Sequence, residues 1–197
     1  MKDIKTIILG LGACTVLFSC SDFDEVNTSP ITATIEYVKP QFALNNAIAQ
    51  AKMDPGVSER IVVYNWGSAA RVIGEMSFLN VGRYTDDYTS SYYYPCISNS
   101  IKNATLAINT AEQQVASGTA TVHEKKFFPN VKQFARIWRA YLISEFTDNF
   151  GPYAIDGFLG ENPEFDSEKD VYAFILKELK EASEAIDTSV EAEGDEC

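Results

Sequence analysis

A short stretch of the chain combines tyrosine rings with charged side chains. Between residues 77 and 91 these side chains are Arg83, Tyr84, Asp86, Asp87 and Tyr88. Phenol rings stack on the apolar C–H faces of sugar rings, and carboxylate and guanidinium groups bind sugar hydroxyls. Because loops on helical scaffolds concentrate recognition residues, we interpret these five residues as a candidate ligand-binding set. The alternative is that Tyr84 and Tyr88 only pack against a neighbouring helix.

The composition argues against catalysis and against several kinds of partner. The chain has 197 residues, a single histidine and a net charge of −12. One histidine excludes a multi-histidine metal site, and His123 stands in a polar helix start that is typical of a surface residue. No Gly-rich phosphate loop or calcium-loop spacing is present. Carboxylate pairs such as Asp86 and Asp87 arise by chance among 28 acidic residues. The sequence therefore predicts a protein that is not an enzyme, has no metal or cofactor, and does not bind nucleic acid, which attracts basic surfaces.

The N-terminus has the pattern of an export signal. Lys2 and Lys5 precede an apolar run at residues 7–18 that is too short to span a bilayer comfortably. The run ends in Leu17-Phe18-Ser19-Cys20, which is similar to a bacterial lipobox. We predict a lipoprotein signal peptide at residues 1–19 and lipidation of Cys20, which would anchor the chain to a membrane. An ordinary signal peptide cleaved nearby is the alternative.

The remainder of the chain is predicted to be helical. A lipidated, extended leader occupies residues 20–39, a helical domain residues 40–187, and an acidic tail residues 188–197. Five helices are predicted. The first runs from Pro40 to about residue 51, and the second from about 58 to 76. The third ends at Ser117-Gly118, the fourth runs from about 123 to 149, and the fifth follows an N-cap at Ser167. No strand pattern competes for length. The fold class is therefore all-α, with antiparallel helix pairs packed like tetratricopeptide repeats.

Apolar residues recur at helical spacing and define the expected core. In the first helix they are Phe42, Ala43, Ala47, Ile48 and Ala51; in the third, Ile97, Ile101, Ala104, Ile108, Ala111 and Val115; in the fourth, Val131, Phe134, Ala135, Trp138, Tyr141, Leu142 and Phe146; and in the last, Val171, Ile175, Leu179, Ala182 and Ile186. We expect Trp138 to be buried and Cys96 to be a helix-buried thiol. The triplet Tyr92 to Tyr94 favours packing in the first turn of the third helix, with ligand contact as the alternative.

Several stretches resemble one family when they are taken together. They are the lipobox with Ser21-Asp22-Phe23-Asp24-Glu25, the leader Asp24-Glu25-Val26-Asn27-Thr28-Ser29-Pro30, the run Ala135-Arg136-Ile137-Trp138-Arg139-Ala140-Tyr141-Leu142, the turn Phe146-Thr147-Asp148-Asn149-Phe150-Gly151-Pro152-Tyr153, and the stretch from Phe165 to Ala182. Their order and spacing resemble the SusD/RagB family of outer-membrane nutrient-binding lipoproteins. Members are usually more than twice as long, so we expect an N-terminal portion whose superhelix is incomplete and whose acidic tail marks the truncation point.

The resemblance implies a role and a partner. Such proteins lie at the cell surface as a lid on a SusC-like, TonB-dependent transporter, and they pass oligosaccharide or peptide to it. Two other hypotheses remain open from the residues alone. One is a lipid-anchored all-α glycoside hydrolase, and the other is a tetratricopeptide-like adaptor that holds a partner protein without a ligand.

Overall fold

The computed structural model describes residues 38–52, 55–58, 61, 66, 67, 70, 89–157 and 164–192. The predicted lipidation site Cys20 and the loop residues Arg83, Tyr84, Asp86, Asp87 and Tyr88 lie outside this part of the chain. So do the signal peptide, most of the leader, most of the predicted second helix and the end of the acidic tail. The structure therefore does not test the predictions made for these segments.

The described part of the chain is built from helices. They are α1 (Pro40–Gln50), α2 (Pro55–Ser58), α3 (Tyr94–Ser117), α4 (Glu124–Phe150) and α5 (Glu168–Glu184). A π-helical turn, Thr89–Tyr93, leads into α3. In these residues the β contacts amount to one isolated bridge, between Tyr153 and Asp166. The all-α prediction is confirmed. None of the described helices is long and apolar enough to cross a membrane.

Local signals in the sequence set several helix ends. Pro40 opens α1 in the first turn, where its missing N–H costs nothing. Gly118 ends α3 in the left-handed conformation, with a φ of 78°. The hydroxyl of Ser167 accepts a hydrogen bond from the Asp170 amide at 3.3 Å and caps α5.

Two predicted boundaries are wrong. The second helix is predicted to start at about residue 58, but helical structure is already present in α2, which starts at Pro55 because proline suits a first helical turn. Residues 89–91, assigned to the loop, belong to the π-helical turn before α3.

The core lies between successive helices, since α1 packs on α3, α3 on α4, and α4 on α5. On α3 the predicted stripe is confirmed at Ile97, Ile101, Ala104, Ile108 and Ala111, which are buried, whereas Val115 is only partly buried. On α5, Val171, Ile175 and Ala182 are buried as expected, whereas Leu179 and, just beyond the end of the helix, Ile186 are only partly buried. Burial of these apolar side chains stabilises the pairing of the helices.

The stripe predicted for α4 is wrong at two bulky positions. Phe134 and Tyr141 are 49% and 47% exposed, whereas Ala140 and Ile143 are buried. Trp138 is half-buried and touches two separate core clusters. Helix α4 contacts α1, α3 and α5, so its buried positions spread around the helix instead of following one face. The first helix differs likewise, because Phe42 and Ile48 are exposed.

Three smaller predictions have mixed outcomes. In the tyrosine triplet only Tyr93 is buried, while Tyr92 and Tyr94 are 54% and 45% exposed. The free thiol of Cys96 is half-buried, donates to the Gln50 carbonyl oxygen at 2.9 Å and has a pKa raised by burial. It is thus less enclosed than expected. His123 lies at the N-cap of α4 and its ring stacks on Phe127, with centroids 5.7 Å apart.

A network of charges joins α4 to α5. Arg136 donates to both oxygens of Glu178, at 3.1 and 2.7 Å, and Arg139 donates to Glu178 at 3.1 Å. Burial alone would raise the pKa of Glu178, but the hydrogen bonds and charges of the two arginines outweigh it and lower the pKa. This network joins α4 to α5, and the same two helices border an open cleft.

Candidate functional cleft at the end of α4

The turn that ends α4 depends on a glycine. Gly151 has a φ of 83° and a ψ of −136°, a conformation that side chains disfavour. A Cβ at this position would lie 3.3 Å from Oε1 of Glu168. The glycine therefore lets the first turn of α5 approach the end of α4. This turn is formed by the stretch 146–153, one of those that carry the family resemblance.

An open cleft of about 760 Å³ lies beside this turn. Its described lining residues are Tyr94, Thr147, Asp148, Asn149, Phe150, Gly151, Glu168 and Tyr172. They come from the start of α3, the end of α4 and the first turns of α5. The volume is within the upper part of the range for small-molecule sites.

Two partly exposed tyrosine rings belong to the cleft. Tyr94 is 45% exposed, and its ring is supported by Phe146 and Phe150 at centroid distances of 5.4 and 5.3 Å. Tyr172 is 38% exposed, and its hydroxyl donates a hydrogen bond to Asp148. That hydrogen bond raises the pKa of Tyr172 because a phenolate could no longer donate it. Both rings present apolar faces that are held in place by neighbouring groups.

The polar groups of the cleft are mainly acceptors. Asp148 and Glu168 are exposed carboxylates, and none of the described lining residues is basic. The amide nitrogen of Asn149 already donates to the Glu145 carbonyl oxygen at 2.7 Å and to the Tyr93 hydroxyl at 3.2 Å, so its carbonyl oxygen remains for a ligand. Thr147 is buried, and within the described part of the chain its hydroxyl has no hydrogen-bond partner. Such a site favours ligands rich in hydroxyl or other donor groups and disfavours anions.

A smaller cleft continues the aromatic surface beyond Tyr94. It measures about 260 Å³ and is also bordered by Phe146, Tyr153 and Phe165. Phe165 is 74% exposed. Tyr94 is therefore shared by two neighbouring depressions, an arrangement that suits a ligand longer than one ring.

The cleft residues were only partly visible in the sequence. The sequence favours packing for Tyr94, and the stretch 146–153 resembles the family but predicts no role for Asp148 or Asn149. Glu168 and Tyr172 stand four residues apart on α5, which places them on one helix face, and this spacing was the available signal. His123, the one histidine of the chain, lies at the N-terminal end of α4, whereas the cleft lies at its C-terminal end.

No group of His, Cys, Asp or Glu side chains in the described ranges is arranged to hold a metal ion.

Residues 32–196 match the SusD-like family described as starch-binding and associating with the outer membrane. The match covers most of the chain, so the chain belongs to this family. The description names binding and association and no reaction, and it places the chain among outer-membrane-associated glycan-binding proteins. Comparisons with curated proteins and with solved structures give no significant match.

Proposed function

We propose that this protein is a cell-surface lipoprotein that binds an oligosaccharide and delivers it to a SusC-like, TonB-dependent transporter. The observation that carries the proposal is the α4–α5 cleft in a chain of the starch-binding family. Tyr94 and Tyr172 supply stacking faces, and Asp148, Asn149 and Glu168 supply acceptors for sugar hydroxyls. The predicted loop residues Arg83, Tyr84, Asp86, Asp87 and Tyr88 are proposed to contribute further contacts.

The proposed action is capture without chemistry. The ligand is held by stacking and hydrogen bonds, and the lipid at Cys20 keeps the protein beside its transporter at high effective concentration. Incubation of the full chain with insoluble starch tests this directly. We expect retention of the protein on the starch without release of reducing ends. Release of reducing ends would support a glycoside hydrolase instead.

The location and the partner are tested in cells. Wild-type protein should incorporate labelled fatty acid, be accessible to protease added to intact cells, and co-purify with a large TonB-dependent barrel. The Cys20→Ala variant should incorporate no label and leave the membrane fraction. Full membrane retention of that variant would contradict the anchor. Co-purification of the barrel together with failure to bind any glycan would support an adaptor.

A further inference from the structure

A second pocket lies between α1, α3 and α4. It measures about 360 Å³, near the lower end of the range for small-molecule sites. Its described lining residues are Ile48, Ala51, Lys52, Trp66, Tyr93, Ile97, Trp138, Tyr141, Leu142 and Glu145. The chain has two tryptophans, and both line this pocket.

The apolar part of the pocket is largely aromatic. Trp138 and Tyr141 lie with ring centroids 5.2 Å apart, and Trp66 meets Tyr93 edge-on at 5.4 Å. Tyr141 is 47% exposed and so lies toward solvent. Flat rings beside short aliphatic side chains match the C–H faces of a saturated ring.

The polar part of the pocket centres on Glu145. Its carboxylate accepts a hydrogen bond from the Tyr93 hydroxyl at 3.2 Å, and the Asn149 amide in turn donates to that hydroxyl at 3.2 Å. Glu145 is thereby held in position by Tyr93, which also lines the pocket, and through it by Asn149. A carboxylate has about four acceptor sites, so Glu145 keeps capacity for ligand hydroxyls. Lys52 is exposed and adds a donor.

The indole of Trp138 contributes an unused donor. Its Nε1 is closed off from solvent and has no hydrogen-bond partner among the residues that the structure describes. Buried indole N–H groups usually have an acceptor, and leaving one unpaired is costly. Trp138 also lines the pocket, so a ligand oxygen that reaches this N–H would satisfy it.

We propose that this pocket is a second binding site, separate from the α4–α5 cleft, which takes a single neutral sugar ring. Trp66, Trp138 and Tyr141 contact the faces of the ring. Glu145 accepts from its hydroxyls, and Trp138 donates to one of its oxygens. The mixture of a carboxylate and an ammonium group favours a neutral ligand over a charged one.

Tryptophan fluorescence tests this site selectively, because neither tryptophan lines the α4–α5 cleft. Methyl α-D-glucopyranoside is titrated into the full chain, and we expect a saturable change in emission. Cyclohexanol, which has one hydroxyl, should bind at least tenfold more weakly. Absence of a saturable change in folded protein, or equal affinity for cyclohexanol, would overturn the proposal.

Variants identify the contacts. Tyr141→Ala, which removes a partly exposed ring, and Glu145→Gln should each weaken binding about tenfold or more. Tyr172→Ala, in the other cleft, is the matched control and should leave the glucoside titration unchanged. Unchanged affinity in both pocket variants would overturn the assignment, and circular dichroism and melting confirm that each variant is folded.

The test is independent of the proposed function. Retention on starch by the α4–α5 cleft together with no glucoside signal would reject the second site alone. A glucoside signal without retention on starch would support the second site and count against the surface-capture role.

Discussion

The hydroxyl of Tyr172 on α5 donates a hydrogen bond to the carboxylate of Asp148 on α4. The contact joins the two helices, and both residues line the α4–α5 cleft. It fixes one of the two exposed tyrosine rings beside a group that accepts sugar hydroxyls. Tyr172 and Asp148 therefore form a preorganised pair, in which the ring can stack on a sugar and the carboxylate can accept hydrogen bonds from its hydroxyls.

The Tyr172 ring should contribute to glycan affinity. Tyr172→Ala is expected to weaken malto-oligosaccharide binding by about 1–3 kcal/mol, the range for losing a recognition aromatic. The measurement is affinity together with the melting temperature. Leu176→Ala is the matched control, because Leu176 is 68% exposed one turn further along α5 and does not line the cleft. An equal loss of glycan affinity in the two variants would show that Tyr172 does not contact the ligand.

Glu178 should matter for stability and not for ligand contact. Glu178→Ala leaves Arg136 and Arg139 without their shared partner, and we expect a loss of about 3–5 kcal/mol in the free energy of unfolding. Urea denaturation measures it. Glu181→Ala is the control, because Glu181 is exposed and touches Arg136 at 3.2 Å, and it should cost less than about 1 kcal/mol. A small effect in both variants would show that the network does not hold α4 to α5.

Stability should fall in acid for the same reason. The folded-state pKa of Glu178 is lowered, so its contribution is complete above the unfolded value of about 4.3 and is lost as pH falls through the folded value. Glu124 behaves likewise, because its hydrogen bonds with Lys39 and Thr121 outweigh the effect of burial and lower its pKa. Unfolding curves between pH 7 and pH 3 measure the slope. The Glu178→Gln variant should show a shallower slope, and an unchanged slope would contradict the assignment.

Gly151 should be required for the shape of the cleft. Gly151→Ala forces a strained backbone, at a cost of about 1–3 kcal/mol, and brings a Cβ to 3.3 Å from Glu168. We expect lower stability and weaker glycan binding together. At Gly118, where φ is also positive but nothing lies within 4 Å, alanine should cost about 1–2 kcal/mol and leave affinity intact. Normal affinity in Gly151→Ala would show that the turn does not shape the site.

The fold was largely predictable because its signals are local. The stripe on α3, the Ser167 cap and the Gly118 terminus each depend on residues close in sequence, and all three are confirmed. The stripe on α4 was predictable only in part, because contacts from three other helices decide which of its faces is covered. The spacing of apolar residues within one helix does not indicate which other helices pack against it.

The cleft was much harder to predict than the helices. Tyr94 and Tyr172 are 78 positions apart in the chain, and the packing of α4 on both α3 and α5 brings them to one depression. The predicted loop set, Arg83 to Tyr88, relied on clustering in sequence, which detects sites confined to one segment. A site assembled from three helices gives no such cluster.

The loop tyrosines remain a separate prediction. If the loop joins the ligand surface, Tyr84→Ala and Tyr88→Ala should each weaken glycan binding by about 1–3 kcal/mol without loss of helicity. If the two rings only pack against a helix, the variants should melt earlier with affinity intact. Affinity and melting measured on the same samples decide between the two accounts.

The central claim is that the α4–α5 cleft captures a glycan, and calorimetric titration of the full chain with maltoheptaose tests it most directly. We predict saturable binding, a loss of affinity of at least tenfold in the Tyr94→Ala and Tyr172→Ala variants, and unchanged affinity in Leu176→Ala. Absence of binding by folded protein, or binding that both tyrosine variants leave intact, would contradict the claim.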